Sequence, residues 1–150
     1  MLVLGIETSC DETSAAIVED GKRIISNVVA SQIEIHRPYY GVVPEIASRI
    51  HTEMIWEVVN RAFIEADLRK TDIGGVAVTA KPGLVGSLLV GIAFAKSFAY
   101  SLQLPFIGID HIKAHLYAPL LEHDIEYPYA GLLVSGGHTI LCIVHSYDNL

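Results

Sequence analysis

The chain is poor in cysteine and in positive charge, and it has no long uninterrupted apolar run. Cys10 and Cys142 lie far apart and belong to no CxxC motif, which predicts reduced thiols in a cytosolic protein. Ten Lys and Arg residues against 17 Asp and Glu residues give a net charge of −7. That balance argues against avid nucleic-acid binding by this chain alone, because neutralising phosphates needs clustered positive charge. The most apolar stretch, residues 84–95, is shorter than the roughly 20 residues that span a bilayer, so it predicts a buried helix.

Apolar residues are abundant, and their spacing predicts an α/β fold. The 150 residues are 51% hydrophobic and 18% charged, which is typical of a compact folded domain. Strands are predicted at residues 2–8, 14–19, 23–30, 75–80 and 105–109, and helices at 44–63, 84–103 and 111–121. Asp20-Gly21 is a two-residue hairpin signal between the second and third strands. The order βββαβαβα predicts a mixed sheet, in which three antiparallel strands precede parallel β–α units.

A partial repeat of this layout begins near residue 126. A strand at residues 129–134, a polar turn at 135–139 and a strand at 140–145 copy the strand–turn–strand pattern of residues 2–18. The repeat predicts a two-lobed fold, with a first lobe at residues 1–125 and the start of a second at 126–150. A two-stranded hairpin is marginal on its own. We therefore expect these residues to be a fragment of a longer protein, or to be completed by another chain.

His111 and His115 stand four residues apart in a predicted helix that follows a strand. Side chains at this spacing share one helix face, and two imidazoles placed there are able to share a metal ion. Asp110 is a preferred helix N-cap residue and would start the helix at the end of the strand. The competing interpretation is a pair of surface histidines that share a face by chance. The other histidines, His36, His51, His123 and His145, are interpreted as surface or structural residues.

Two polar turns are candidates for anion binding or acid–base chemistry. Ser135, Gly136, Gly137, His138 and Thr139 combine hydroxyl donors with glycines that let a backbone approach an anion closely. The alternative for this run is a plain hairpin turn. Asp11 and Glu12 form an acidic pair in the first turn, which by itself is more typical of solvated turn residues. Pro82-Gly83, before a helix, fits either a phosphate-binding turn or a simple strand–helix connection, and the simple connection is favoured.

Five motifs in register resemble one known family. They are residues 5–14 (GIETSCDETS), 41–49 (GVVPEIASR), 82–88 (PGLVGSL), 111–115 (HIKAH) and 134–139 (VSGGHT). The series is similar to the bacterial type of the tRNA threonylcarbamoyladenosine biosynthesis protein TsaD family (also Gcp or YgjD), formerly described as O-sialoglycoprotein endopeptidase. The likeness covers the N-terminal half of a family member. Two departures are Lys81-Pro82-Gly83 and Tyr39-Tyr40-Gly41, where the family commonly has Gly-Pro-Gly and Tyr-Gly-Gly.

The resemblance implies an actin/Hsp70/sugar-kinase-like (ribonuclease H-like) fold and a transferase that modifies tRNA. The implied donor is threonylcarbamoyl-adenylate, and the acceptor is the exocyclic amine of the adenosine beside the anticodon in tRNAs reading ANN codons. The implied cofactor is one divalent metal, Fe(II) or Zn, and the implied partners are the actin-like subunit TsaB and the ATPase subunit TsaE. Carried over residue by residue, the implied metal ligands are His111 and His115, the substrate contacts are Val134, Ser135, Gly136, Gly137 and His138, and the catalytic acidic pair is Asp11 and Glu12.

Three rival functions are weighed against this one. A metalloprotease of the zincin type needs HExxH, and Ile112 stands where its glutamate would be, so that function is disfavoured. A small-molecule kinase of the same fold would use both phosphate turns but would not need the two histidines. A non-catalytic partner-binding subunit, pairing through the helix at residues 45–63, would also lack them. The family's third metal ligand, an aspartate, is expected outside this chain, which leaves two imidazoles as the ligands present.

Overall fold

The computed structural model describes residues 1–135, 139–147 and 149 of the chain. These residues form two compact units, Met1–His111 and Ile112–Leu150. The lobe boundary predicted after residue 125 concerns the two-lobed protein as a whole and stays a prediction. Within the described part of the chain, none of the helices is long and apolar enough to cross a bilayer.

A five-stranded mixed sheet is the framework of the first unit. Its strands are β1 (Leu2–Glu7), β2 (Glu12–Glu19), β3 (Arg23–Ser31), β4 (Gly75–Lys81) and β5 (Phe106–Asp110). They lie in the order β3-β2-β1-β4-β5. β2 runs antiparallel to β1 and β3, whereas β4 runs parallel to both β1 and β5. The predicted combination of an antiparallel meander with parallel β–α units is confirmed.

The hairpin between β2 and β3 contains three residues, 20–22, which are the residues that the predicted strand bounds leave between the strands. Glu19 pairs with Arg23, so the loop is one residue longer than the two-residue loop typical of Asp-Gly. Asp20 and Gly21 both have positive φ, at 51° and 69°, which is the backbone conformation that made Asp-Gly a hairpin signal. The third residue, Lys22, donates its backbone N–H to the Glu19 carbonyl. Local turn chemistry therefore identified the hairpin, but the pairing register set its length.

Helix α2 (Pro44–Ala66) covers β2 and β3 and also packs against α3 (Val85–Ser101). It begins at Pro44, as predicted, because proline at the first helical position sacrifices no hydrogen bond. It ends where Asp67 adopts a left-handed conformation with φ of 53° and donates its N–H back to the last turn. Its buried residues are Ala47, His51, Ile55, Val58, Val59, Ala62 and Phe63.

The hydrophobic core lies between these two helices and the sheet. Leu4, Ile17 and Val59 are completely buried there, together with strand residues of β4 and aromatic residues of the helices. Phe63 of α2 stacks on Phe98 of α3 with ring centroids 6.0 Å apart. A short helix, α1 (Ile33–His36), and a 3-10 turn (Arg37–Tyr39) connect β3 to α2 and were not predicted.

The second unit contains most of helix α4 (His111–Tyr117), a 3-10 turn (Ala118–Leu121) and the hairpin of β6 (Tyr129–Val134) and β7 (Thr139–Val144). β6 and β7 pair antiparallel from Tyr129 opposite Val144 to Val134 opposite Thr139, which confirms the predicted hairpin. The helix predicted to reach residue 121 stops being α-helical at Tyr117. Pro119 explains the change, because proline lacks the N–H that would continue the α-helical ladder.

Candidate functional site

The carboxyl ends of β1, β4 and β5 meet at one edge of the sheet, because these three strands are parallel neighbours. β2 begins at the same edge, since it is antiparallel to β1. Glu7 ends β1, Thr79 lies near the end of β4, and His111 directly follows β5. In open α/β sheets this edge is where ligands bind. The fold therefore brings Glu7 together with two side chains that are more than 70 residues away from it in the sequence.

Glu7 is the centre of this group. Its carboxylate accepts hydrogen bonds from the backbone N–H of Ser9, from the Thr79 hydroxyl at 2.5 Å and from Nδ1 of His111 at 3.1 Å. The Glu7 and His111 side chains are 30% and 28% exposed, respectively. Burial raises the pKa of Glu7, but the hydrogen bonds from Ser9 and Thr79 outweigh it and hold the pKa below its usual value. Glu7 is therefore an anion at neutral pH.

The contact with Glu7 also fixes the tautomer of His111. A carboxylate only accepts hydrogen bonds, so the proton of a neutral His111 ring lies on Nδ1. The Ser9 hydroxyl lies 3.2 Å from the same nitrogen. Histidines that bind metals through one ring nitrogen usually donate the other N–H to a carboxylate or carbonyl, which sets the orientation of the ring. Sequence analysis did not identify Glu7 as a site residue; its position at the end of a buried strand was the available signal.

The loop after β4 packs directly against the turn that follows β1. A Cβ atom on Gly83 would lie 2.6 Å from the Ser9 carbonyl oxygen, so only glycine fits there. Leu84 donates its backbone N–H to that same carbonyl at 2.8 Å. Gly91 likewise lets helix α3 approach Thr8, whose buried hydroxyl donates to the Ser87 carbonyl at 2.8 Å. These contacts give Gly83 a packing role, which fits the simple strand–helix connection that the sequence favours.

Asp11 and Glu12 lie side by side at the same sheet edge and are both partly buried. Burial raises the pKa of Glu12, and the neighbouring Asp11 carboxylate raises it further. The same two causes, burial first and Asp11 second, raise the pKa of Cys10 to about 11. Cys10 is therefore a thiol and not a nucleophilic thiolate at neutral pH. Glu12 has a greater affinity for a proton than an ordinary surface glutamate.

We expect Asp11→Asn to lower the pKa of Glu12, because it removes a like charge that disfavours the second carboxylate. The pKa of Cys10 is expected to fall as well, but to stay above its usual value, since burial remains. Carboxyl-carbon NMR titration measures the Glu12 shift. Asp20→Asn, in the remote hairpin turn, is the matched control and should leave Glu12 unchanged. A Glu12 pKa that is equal in the Asp11→Asn variant and the wild type would contradict the assignment.

The remaining predicted site residues lie in the second unit. His115 is an exposed residue of α4, four positions after His111. Val134 ends β6 with 68% of its surface exposed, and Ser135 follows it, also exposed. The predicted contacts Gly136, Gly137 and His138 lie outside the described residues. Among residues 1–135, 139–147 and 149, the structure has no group of three or more His, Cys, Asp or Glu side chains that would hold a metal ion.

The chain resembles known proteins of one family over its whole length. Residues 23–150 match the model of the family described as "TsaD: tRNA N6-adenosine threonylcarbamoyltransferase". A tRNA N6-adenosine threonylcarbamoyltransferase of Treponema denticola is 59% identical over 150 residues, which is 100% of this chain and 44% of the relative. The chain thus spans less than half the length of that relative.

Two solved structures share the fold at low sequence identity. YeaZ from Pseudomonas aeruginosa matches with a TM-score of 0.60 and 16% identity, covering 94% of this chain and 64% of the other. A ROK hexokinase from Thermus thermophilus matches with a TM-score of 0.50 and 19% identity, covering 93% of this chain and 48% of the other. These likenesses support the predicted actin-like and sugar-kinase-like fold class, and at this identity they speak for the fold alone.

Proposed function

Since the chain belongs to the tRNA N6-adenosine threonylcarbamoyltransferase family, we propose that the full-length protein is the transferase itself. It moves the threonylcarbamoyl group of threonylcarbamoyl-adenylate to the exocyclic amine of the adenosine beside the anticodon in tRNAs that read ANN codons. The observation that carries the proposal is the hydrogen bond from His111 to Glu7, beside the acidic pair, in a chain of this family. A non-catalytic subunit or a small-molecule kinase of the same fold would need neither His111 nor His115.

The reaction is an acyl transfer in which the adenosine amine attacks the carbamoyl carbon. A carbon–nitrogen bond forms, the bond from that carbon to the adenylate phosphate oxygen breaks, and AMP leaves. The amine loses one proton, and we assign its acceptance to Asp11 or Glu12. The raised pKa of Glu12 supports this role, because a general base works best with a pKa nearer the working pH.

We propose His111 and His115 as two ligands of a divalent metal, Fe(II) or Zn. The donor set fits, since two imidazoles at this helical spacing share a face and one of them is oriented by a carboxylate. They fill two positions of a tetrahedral site, and the family resemblance implies a third protein ligand, an aspartate, outside this chain. A cation bound there would supply Lewis-acid polarisation of the donor's carbonyl and phosphate oxygens.

The proposed substrate contacts are Val134, Ser135, Gly136, Gly137 and His138, which rest on the family resemblance of the VSGGHT run. The proposed partners are tRNA, the actin-like subunit TsaB and the ATPase subunit TsaE. The net charge of −7 supports a role for the rest of the protein or its partners in tRNA binding, because this segment has too few cations to neutralise many phosphates. The cytoplasm is the proposed location, where tRNA and reduced thiols occur together.

Reconstitution tests the function directly. The full-length protein, with its metal and partner subunits, is incubated with threonylcarbamoyl-adenylate and an unmodified tRNA that reads an ANN codon. We expect mass spectrometry of the digested tRNA to detect threonylcarbamoyladenosine at the position beside the anticodon. Omission of the full-length protein is the control. Absence of the modified nucleoside, or metal-independent phosphorylation of a sugar by the same preparation, would overturn the proposal.

A further inference from the structure

We propose that His51 is a positioning residue that holds the Asp11–Glu12 turn in its working geometry. The inference rests on the proposed function, in which that turn accepts the proton of the attacking amine. His51 lies on the buried face of α2 and is completely inaccessible to solvent. Its position in the sequence, between apolar residues of a core-facing stripe, gave no indication of a role in the site.

One imidazole contacts both ends of the acidic turn. Nδ1 of His51 lies 2.8 Å from the Thr13 hydroxyl oxygen, and Nε2 lies 3.0 Å from the Cys10 carbonyl oxygen. Asp11 and Glu12 are the two residues between these anchor points. A single ring on the neighbouring helix therefore contacts the residues on both sides of the acidic pair.

The partners also determine where the proton of His51 lies. The Cys10 carbonyl only accepts, so Nε2 carries the hydrogen. Nδ1 then accepts from the Thr13 hydroxyl and from the Gln32 side-chain amide, whose nitrogen is 3.4 Å away. Nε2 thus donates and Nδ1 accepts. Burial keeps the pKa of the ring below its usual value, so the ring stays neutral.

Gln32, which follows β3, and His36, the last residue of α1, extend the hydrogen bonds of His51 into a clamp on the acidic turn. The Gln32 backbone N–H donates to the Asp11 carbonyl at 2.9 Å, which anchors the turn at a third point. The Gln32 side-chain oxygen accepts from Nε2 of His36 at 3.1 Å, and Nδ1 of His36 accepts from the Val43 N–H at 3.3 Å. In each hydrogen bond of this series only one of the two atoms is able to donate, so the network has a single pattern of donors and acceptors.

A histidine that served only the core would be replaceable by an apolar residue of similar volume. His51 does something that no apolar side chain does, because it donates to one end of the turn and accepts from the other. Its loss would release the Cys10 carbonyl and the Thr13 side chain and let the two carboxylates shift. Displacement of a reacting group by about 1 Å is able to lower a rate on the order of 100-fold. We therefore expect the loss of His51 to lower kcat.

His51→Leu and Thr13→Val in the full-length, reconstituted protein test the clamp. Thr13→Val removes only the hydroxyl partner of the ring, and Thr13→Ser keeps it. Val59→Ala is the matched control for lost stability, since Val59 is equally buried on the same helix and lies eight residues further along it. We expect roughly 10- to 100-fold lower kcat for His51→Leu, with KM for tRNA changed far less. Thr13→Val should follow in the same direction, Thr13→Ser should restore the rate, and Val59→Ala should keep it.

The pKa of Glu12, measured by carboxyl-carbon NMR, is the second readout. We expect it to move toward its usual value in His51→Leu and Thr13→Val, because a released turn increases its access to solvent and its distance from Asp11. An unchanged Glu12 pKa, or a fall in kcat that Val59→Ala reproduces, would overturn the clamp. If His51→Leu fails to fold, the comparison of Thr13→Val with Thr13→Ser tests the clamp. A wild type that makes no modified tRNA would refute the proposed function. The pKa of Glu12 would still test the clamp in that case.

Discussion

His111→Ala and His115→Ala are each expected to abolish stoichiometric metal binding by the full-length protein and to lower the transfer rate about 100-fold or more. Each variant leaves one imidazole on α4, which is too few for a stable site even with a third ligand supplied from elsewhere. The rate falls because Lewis-acid stabilisation of developing charge contributes several kcal/mol in metal-dependent acyl transfer. Metal content by mass spectrometry and the rate of tRNA modification measure the two effects separately.

His123→Ala is the matched control for these variants, because His123 is an exposed histidine outside helix α4. It should retain metal content and rate. The chance-pair interpretation of His111 and His115 predicts instead that all three variants behave like the wild type. Full metal content in both α4 variants would therefore remove these histidines from the site.

Glu7→Gln is expected to lower metal affinity by about 10- to 100-fold, although Glu7 is not itself a proposed ligand. Carboxylates that accept the N–H of a metal-binding histidine commonly have effects of that size. Glutamine loses the charge that holds the Nδ1 proton of His111. Its amide nitrogen also faces a donor whichever way the amide is turned: the Ser9 N–H on the Oε1 side, or Thr79 and His111 on the Oε2 side. Competition with a chelator of known affinity measures the change in the full-length protein.

Nitrogen NMR of His111 separates an orientation effect from general damage. In the wild type the proton should lie on Nδ1, and in Glu7→Gln we expect a mixture of tautomers. Glu57→Gln, an exposed carboxylate change on α2, is the control and should alter neither quantity. Wild-type metal affinity in Glu7→Gln, with His111 still protonated on Nδ1, would show that the carboxylate does not orient the ring.

Local patterns predicted much of the fold because they depend on residues close in sequence. The Asp20-Gly21 hairpin, the start of α2 at Pro44 and the pairing of β6 with β7 follow from turn chemistry and apolar periodicity. The predicted end of α4 was wrong, because Pro119 changes the helix to a 3-10 turn after Tyr117. The loop between β2 and β3 is one residue longer than the loop typical of Asp-Gly, because strand register pairs Glu19 with Arg23.

The candidate site divides in the same way. The HxxxH spacing and the acidic pair are visible in the sequence, since each lies within one short run. Glu7 and His51 were missed because an ionisable residue at a strand end, or within an apolar helix stripe, looks structural until its partners are known. Those partners are distant along the chain: His111 is 104 residues from Glu7, and His51 is 41 residues from Cys10.

By itself the sequence determined the family and most of the secondary structure, through motifs and periodicities that need no long-range contact. Only the tertiary structure decided that β1, β4 and β5 are parallel neighbours, so that Glu7, Thr79 and His111 converge at one edge. The physical reason is that strand pairing brings together segments about 30 to 70 residues apart, and hydrogen-bond geometry then selects which polar side chains meet.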